Sequence, residues 1–485
     1  VSAWSQPMRC HLPAPRSPSP SPAPPSLPAP TRASLPAPTP LPTRAVIEAG
    51  TLLPYTVQSG DTLPALAARF NTAADEILLA NPGRITQTTT LAPGLSLLIP
   101  ARFAPLGGTP FQILPDSQFV NGPLRGGEDL RLDLLRLGGY LASYSEFAEE
   151  RVRPAWEILQ RVGLSYSVSP RLLLAVLEFR TGAATDPDPS AETRRYPLGL
   201  PDPLKTGLYH QAQQAAEWLN EGYYGWRAGT QLEVELADGR LSRADPWQNA
   251  ATVGVQKLLG HFLAGEEWER AVGPEGFIVT VRRLYGDPWV DDQPLLPAEL
   301  LQPEWPLPFA AGEVWNLSGG PHPAWGEGQP WAALDFAPPA RASGCALSDG
   351  WARAVAPGIV ARSAEAAVLL DVDTPATPAD GDERTGWVLF YYHLAAAGRV
   401  AEGTRVQAGD PLGHPSCEGG RATGAHVHVA RKFNGEWLPA DGPIPFTLSG
   451  WLPHAGDAPY GGSLTRGSQT AIADPTSSAQ TRVWR

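Results

Sequence analysis

Residues Gly424 to Lys432 read Gly-Ala-His426-Val-His428-Val-Ala-Arg-Lys. Apolar and β-branched residues alternate with polar ones over a short run, the pattern of a β-strand. Residues two apart on a strand face the same way. His426 and His428 therefore present two imidazoles from one rigid element. Two neutral imidazoles on one face are a good start for a zinc site. Where only one of them binds metal, the other is held within reach of whatever the metal activates. The same pair also suits a merely polar, solvated strand face, so the choice rests on what the rest of the chain brings to this strand.

At 485 residues the chain is long enough for more than one domain, because a single core rarely grows past about 250 residues. A net charge of -12 leaves no basic footprint for nucleic acid or an anionic membrane surface. No apolar run is long enough to span a bilayer as a helix. Val1 to Pro13 lacks the apolar centre of a signal peptide, and a start upstream of Val1 would account for that. Of the three cysteines, Cys345 and Cys417 share the carboxy-terminal region. A disulfide between them would suit an oxidising compartment and leave Cys10 over; two separate buried thiols are the alternative.

Residues 1–50 are a low-complexity run of Pro, Ser and Ala that cannot bury a core; a disordered, semi-rigid spacer is expected. Residues 52–101 read as a βααβ unit. Tyr55 to Leu63 gives a strand and a turn at Ser59-Gly60-Asp61, helices follow over Leu63–Phe70 and Asp75–Ala80, Asn81-Pro82-Gly83 stops the second, and Leu91 to Pro100 closes with a strand. The run Tyr-Thr-Val-x-x-Gly-Asp-Thr-Leu, the Asn-Pro pair and the Gly-x-x-Leu-x-Ile-Pro ending resemble the LysM family. That resemblance implies binding of N-acetylglucosamine glycan such as peptidoglycan, in a groove between the Gly60-Asp61-Thr62 loop and the segment near Asn81-Pro82. Asp61 itself is expected to serve as a turn and cap residue.

Residues 115–300 read as mostly helical, with apolar periodicity over Leu130–Leu137, Phe147–Val162, Arg171–Phe179, Gly207–Asn220 and Trp247–Leu263, and a hairpin turning at Asp238-Gly239. Ser169-Pro170 is a helix-start signal. The stretch to Gly182 faintly resembles the lysozyme-like transglycosylases, with Arg180 where their catalytic acid stands. Arginine cannot protonate a leaving group, so a non-catalytic scaffold is expected, with Glu178 facing elsewhere. His210 and His261 are expected to be packing or surface residues.

Residues 305–455 change to short β runs between Gly and Pro turns (Val355–Ala361, Ala367–Val372, Gly386–Tyr392 and the His426 strand), an antiparallel β domain. The polar tail, 456–485, is expected to be disordered. Within the β domain stand Gly-Gly-Pro-His322, Trp-Ala-Ala-Leu-Asp335-Phe and Leu-Phe-Tyr-Tyr-His393. A carboxylate inside an apolar strand is costly unless paired or coordinated, and one metal would explain these oddities together.

Here the sequence resembles the M23 zinc metallopeptidases, the lysostaphin- and LytM-like family, most closely the β-lytic subgroup, whose metal-binding His sits in a Gly-Gly-x-His loop well ahead of the Asp. His322 stands thirteen residues before Asp335, and Gly-x-His-x-His is intact at His426 and His428. The resemblance implies one Zn²⁺ held by His322, Asp335 and His428 with a fourth place open for water. It implies His426 as the residue that takes the water proton and returns it to the leaving amine, and His393 as one that steadies the attacked carbonyl or orients the water. His414 is expected to be structural. The function implied is a secreted or cell-surface zinc endopeptidase cutting peptide stems or cross-bridges of peptidoglycan. It would be an extracellular or envelope protein, a monomer, tethered to glycan by the LysM module, with no nucleic-acid partner and no transmembrane segment. The alternatives are a non-catalytic peptidoglycan-binding or activator protein, and a glycan-cleaving enzyme working through the helical middle.

Overall fold

In the computed structural model, residues 48–485 are described except 87–88, 103–108, 150, 340–343 and 347. The expected Pro-rich spacer, up to residue 47, and Cys10 lie outside the described residues.

The LysM-like module forms as its punctuation predicts. Strands Leu52–Thr56 and Ser96–Pro100 pair antiparallel around helices Leu63–Phe70 and Ala74–Ala80. Thr62 caps the first helix and accepts from the Ala65 amide at 3.3 Å, and Pro64 stands in its first turn. Asp61 is the turn residue: its carboxylate accepts from the Gln58 amide at 2.8 Å, the Tyr55 hydroxyl at 2.5 Å and Arg69 at 2.7 Å.

The middle is helical, with one correction. The apolar pattern at Phe147–Val162 is not one helix. It begins as a hairpin, Ser145–Ala148 against Arg151–Pro154, and becomes helical only over Ala155–Tyr166. Pro154 has no amide to donate, so the helix starts beyond it. Ser169 caps Pro170–Thr181 as expected, and Gly182 ends that helix at φ +70°. The long helix Gly207–Ala228 packs on Ala250–Gly260, and the Asp238-Gly239 turn joins the short strands Glu233–Glu235 and Leu241–Arg243.

The last third is an antiparallel sheet. Its described strands run, edge to edge, Arg405–Val406, Gly358–Ala364, Ala367–Val372, Trp387–Tyr392, Val427–Phe433, Ala333–Ala337, Val314–His322 and Arg482–Trp484, with Glu436–Trp437 beside Val427–Phe433. The order places Val427–Phe433 and Ala333–Ala337 side by side at the centre, where side chains are least exposed. Trp387–Tyr392 and Ala333–Ala337 are almost wholly buried, as continuous apolar runs require.

The tail corrects the expectation of disorder. Leu452–Ala455, Gly462–Arg466 and Gln469–Ile472 form a three-stranded meander, and Arg482–Trp484 adds the edge strand beside Val314–Asn316. Few apolar residues are present, but Leu464, Ala471 and Val483 are buried, and the Trp451 indole donates to the Trp484 carbonyl at 3.0 Å. Composition is a poor guide where a strand pairs with one far away in the chain.

One side chain joins all three regions. The Arg227 guanidinium, buried at the end of Gly207–Ala228, donates to the Ser59 carbonyl of the LysM-like module. It also pairs with Asp116 at 3.1 Å in the helical part and with Glu436 at 2.9 Å in the sheet. Two carboxylates enclosed away from water require this cation.

Val483→Ala is expected to lower the unfolding free energy by about 2 kcal/mol in chemical denaturation, the scale for removing buried methyl groups. A disordered tail would give no measurable change.

Candidate metal centre

Register assembles the centre. His428 lies directly opposite Asp335 across the sheet, so the two side chains share a face. Irregularities in the pairing of Val314–His322 with Ala333–Ala337 carry His322 to the same place. His322 Nε2 and His428 Nδ1 are 2.9 Å apart, and each is 3.3 Å from Asp335 Oδ1. Donor atoms on a tetrahedral zinc with bonds of about 2.0–2.1 Å stand about 3.3 Å apart. The expected trio is therefore together, and at the spacing of a coordination triangle.

The hydrogen bonds decide what the triangle can hold. His322 Nδ1 is 2.7 Å from the Gly320 carbonyl and His428 Nε2 is 3.1 Å from the Ala324 carbonyl. A carbonyl only accepts, so each of these nitrogens carries the proton, and the inner nitrogens offer lone pairs. Asp335 Oδ1 offers another and is buried, with no hydrogen-bond partner among the described residues. Three electron pairs converge on one point of the cleft with no proton between them. A cation resolves the conflict, and outer N–H groups held by carbonyls are the support that metal-bound histidines use. Burial pushes the His428 imidazole down, which keeps its inner nitrogen free. The residues fit a metal ion.

Gly319 makes room for the carboxylate. A Cβ there would stand 2.7 Å from Asp335 Oδ2, so no larger residue lets Asp335 lie across the neighbouring strand.

His426 and His393 line the same cleft, whose volume is about 1010 Å³. His426 donates from Nδ1 to the Gly424 carbonyl at 2.8 Å, which leaves Nε2 as an acceptor 3.7 Å from Asp335 Oδ2. His393 follows its strand in the left-handed region, φ +61°, which turns its side chain toward His426, 4.6 Å between ring centres. Its Nδ1 donates to the Glu418 carbonyl at 2.9 Å. Burial, then the nearby His426 and His428, push the His393 imidazole down to about 3, so it is neutral near pH 7.

One contact escaped the sequence. Tyr460, from the tail, stacks on the His322 ring at 4.1 Å; the signal available was only one aromatic in a polar run. The expected Cys345–Cys417 disulfide forms at the rim of the cleft: it ties the loop carrying Gly344 to the loop carrying Glu418, and the Gly344 carbonyl accepts from the Ala425 amide at 3.0 Å. The remaining expectations for histidines hold. His414 contacts Trp351 and the Gly350 carbonyl, and His261 stacks on Trp218. Glu178 is occupied elsewhere: the Ala184 and Thr185 amides, the Thr185 hydroxyl and Arg283 all donate to it. Burial would raise its carboxyl, but Arg283 and Thr185 bring the balance below the ordinary value, so it has no proton to give at neutral pH.

Residues 55–100 match the LysM domain, and residues 112–299 match the LasA N-terminal domain. Protease LasA from two strains of Pseudomonas aeruginosa is 26% identical to this chain over 333 residues, covering 62% of this chain and 72% of the relative. The chain is thus similar to protease LasA. The motif-level resemblance to M23 zinc peptidases with an added LysM module agrees with these matches. Among solved structures, a match is found to pseudoalterin, described as a novel M23 metalloprotease from the deep sea. It has 22% identity and a TM-score of 0.31 over 38% of this chain and 99% of that one. The catalytic domain of lysostaphin from Staphylococcus simulans matches at 19% identity and a TM-score of 0.19, over 27% of this chain and 95% of that one. At these scores neither likeness adds to what the residues themselves establish.

Gly319→Ala is expected to displace Asp335 and weaken zinc binding by about 10–100-fold, the scale for disturbing the support of a ligand. Competition with a chromophoric chelator measures it, and a circular-dichroism spectrum matching the parent excludes global unfolding.

Proposed function

We propose that this chain is a zinc-dependent endopeptidase that hydrolyses peptide stems or cross-bridges of bacterial peptidoglycan outside the cell, with the LysM module holding it to the glycan. The observation that carries this reading is the unpartnered Asp335 Oδ1 facing two imidazole lone pairs in a buried triangle. The relationship to a protein named a protease and the LysM match support the substrate class. The disulfide fits an oxidising compartment. Among the described residues no helix is long and apolar enough to cross a membrane.

His322, Asp335 and His428 would hold the zinc. When bound, the ion supplies a Lewis acid that polarises the scissile carbonyl and brings water deprotonation near neutral pH. The other residues move the protons. His426 Nε2, with its lone pair free, takes a proton from the attacking water and passes it to the departing amine, so the elements of water are added across the C–N bond. His393, neutral and protonated on Nδ1, presents an acceptor into the cleft; of its two expected roles this favours orienting the water. Tyr460 holds the His322 ring in its plane.

Digestion of purified peptidoglycan separates the possibilities. New free amines that disappear with a chelator or in His428→Ala are the expected result. His426→Ala is expected to keep its metal and lose about 10²–10⁴-fold in turnover. Reducing sugar ends that survive the chelator would instead mark a glycan-cleaving enzyme, and no product at all a binding protein.

A further inference from the structure

The loops of the LysM module hold a peptide from the same chain. The loop after the first strand and the loop before the last are joined by hydrogen bonds from the Leu91 amide to the Asp61 carbonyl at 2.9 Å and from the Gly94 amide to the Val57 carbonyl at 2.8 Å. Against them lies Leu296–Leu300, part of the connection between the helical region and the sheet. The Ser59 hydroxyl accepts from the Leu296 amide at 2.9 Å and donates to its carbonyl at 3.3 Å. The Thr90 hydroxyl donates to the Pro297 carbonyl at 2.8 Å and accepts from the Leu300 amide at 3.1 Å. The Thr90 carbonyl accepts from the Glu299 amide at 3.1 Å, and the Thr89 hydroxyl donates to the Leu300 carbonyl at 2.8 Å. Leu296 and Leu300 are buried while Pro297, Ala298 and Glu299 between them are exposed. Gly60, at the heart of the first loop, is covered by Arg227, whose guanidinium would stand 2.5 Å from a Cβ there.

We propose that Leu296–Leu300 is an internal occupant of the LysM glycan site, so that the affinity of this protein for N-acetylated glycan is latent and appears when the segment is displaced. The proposal rests on the reading of the module as a glycan binder. Its chemical logic is likeness: the segment offers secondary amides and apolar groups to hydroxyls that both donate and accept, and an N-acetyl sugar offers an amide with a methyl group. A tethered occupant competes at high effective concentration, and the glycan affinity observed is lowered by the fraction of molecules in which the site is open. The occupant also carries a strain that favours release, because Glu299 sits at φ +51°, a region that glycine tolerates and glutamate does not favour.

Glu299 provides the test from the occupant's side, since it touches neither the metal centre nor the sugar. Proline at 299 is fixed near φ −65° and has no amide for Thr90, so Glu299→Pro should release the segment; Glu299→Gly relaxes the strain and should keep it seated. The zinc-loaded full-length proteins are titrated calorimetrically with a tetramer of β-1,4-linked N-acetylglucosamine, and hydrogen exchange is followed at the Leu296 and Leu300 amides. Unchanged metal content and hydrolysis of a soluble peptide show that the variants fold. Expected are weak binding by the parent and Glu299→Gly, at least about tenfold tighter binding by Glu299→Pro, and loss of amide protection only in Glu299→Pro. Equal affinity in parent and Glu299→Pro, or protection retained in Glu299→Pro, overturns the internal occupant and leaves the glycan reading standing. Exposed amides in Glu299→Pro with no tetramer bound by any form overturn the glycan reading itself, and the occupant proposal with it.

Discussion

Three lone pairs aimed at one point inside a protein repel one another. The architecture of the last third follows from making that arrangement tolerable. The central strands of the sheet bring Asp335 opposite His428, the irregular strand before them delivers His322, and two backbone carbonyls hold the outer imidazole protons so that the inner nitrogens stay bare. Leaving such a cluster without a cation would cost the full desolvation of each acceptor. With a cation, the same rigidity becomes preorganisation, because nothing has to move for the three donors to bind.

How much of this was legible in the residues depended on range. The Gly-x-His-x-His run declared its strand and its shared face, since both are local consequences of a period of two. The LysM-like turns and caps were equally local, and Ser169-Pro170 opened its helix where it should. What failed was long range or hidden in composition. Phe147–Val162 has helical spacing throughout, yet its first part pairs as a hairpin because Pro154 denies the helix an earlier start. The tail looked too polar to fold, yet Val483 and Leu464 find partners elsewhere in the chain. Tyr460 could not be attached to the metal centre by any local rule. Cys345 and Cys417 were matched correctly, but only the fold shows that they brace the cleft's entrance.

The regions are not beads on a string. Arg227 touches all three, and the carboxylates of Asp116 and Glu436 are enclosed around it. Further contacts repeat the theme: Lys432 of a central strand donates to the Leu164 carbonyl of the helical part at 3.0 Å, and the Trp437 amide donates to the Tyr224 hydroxyl at 3.1 Å. Burying ions and polar groups at such joints favours one relative placement over others, since any slip leaves a charge without its counterpart.

Tyr460 alters what counts as the minimal unit around the cleft. Its ring stacks on His322 from beyond the stretch that carries the recognisable motifs, and the meander that follows it is tied to the last strand by Arg466, which donates to the Trp484 carbonyl at 2.9 Å. A graft or expression fragment cut where the signature residues end would keep His322, Asp335 and His428 and still lose the wall against which the His322 ring rests. For exchange of catalytic modules between relatives, the carboxyl end belongs inside the cassette.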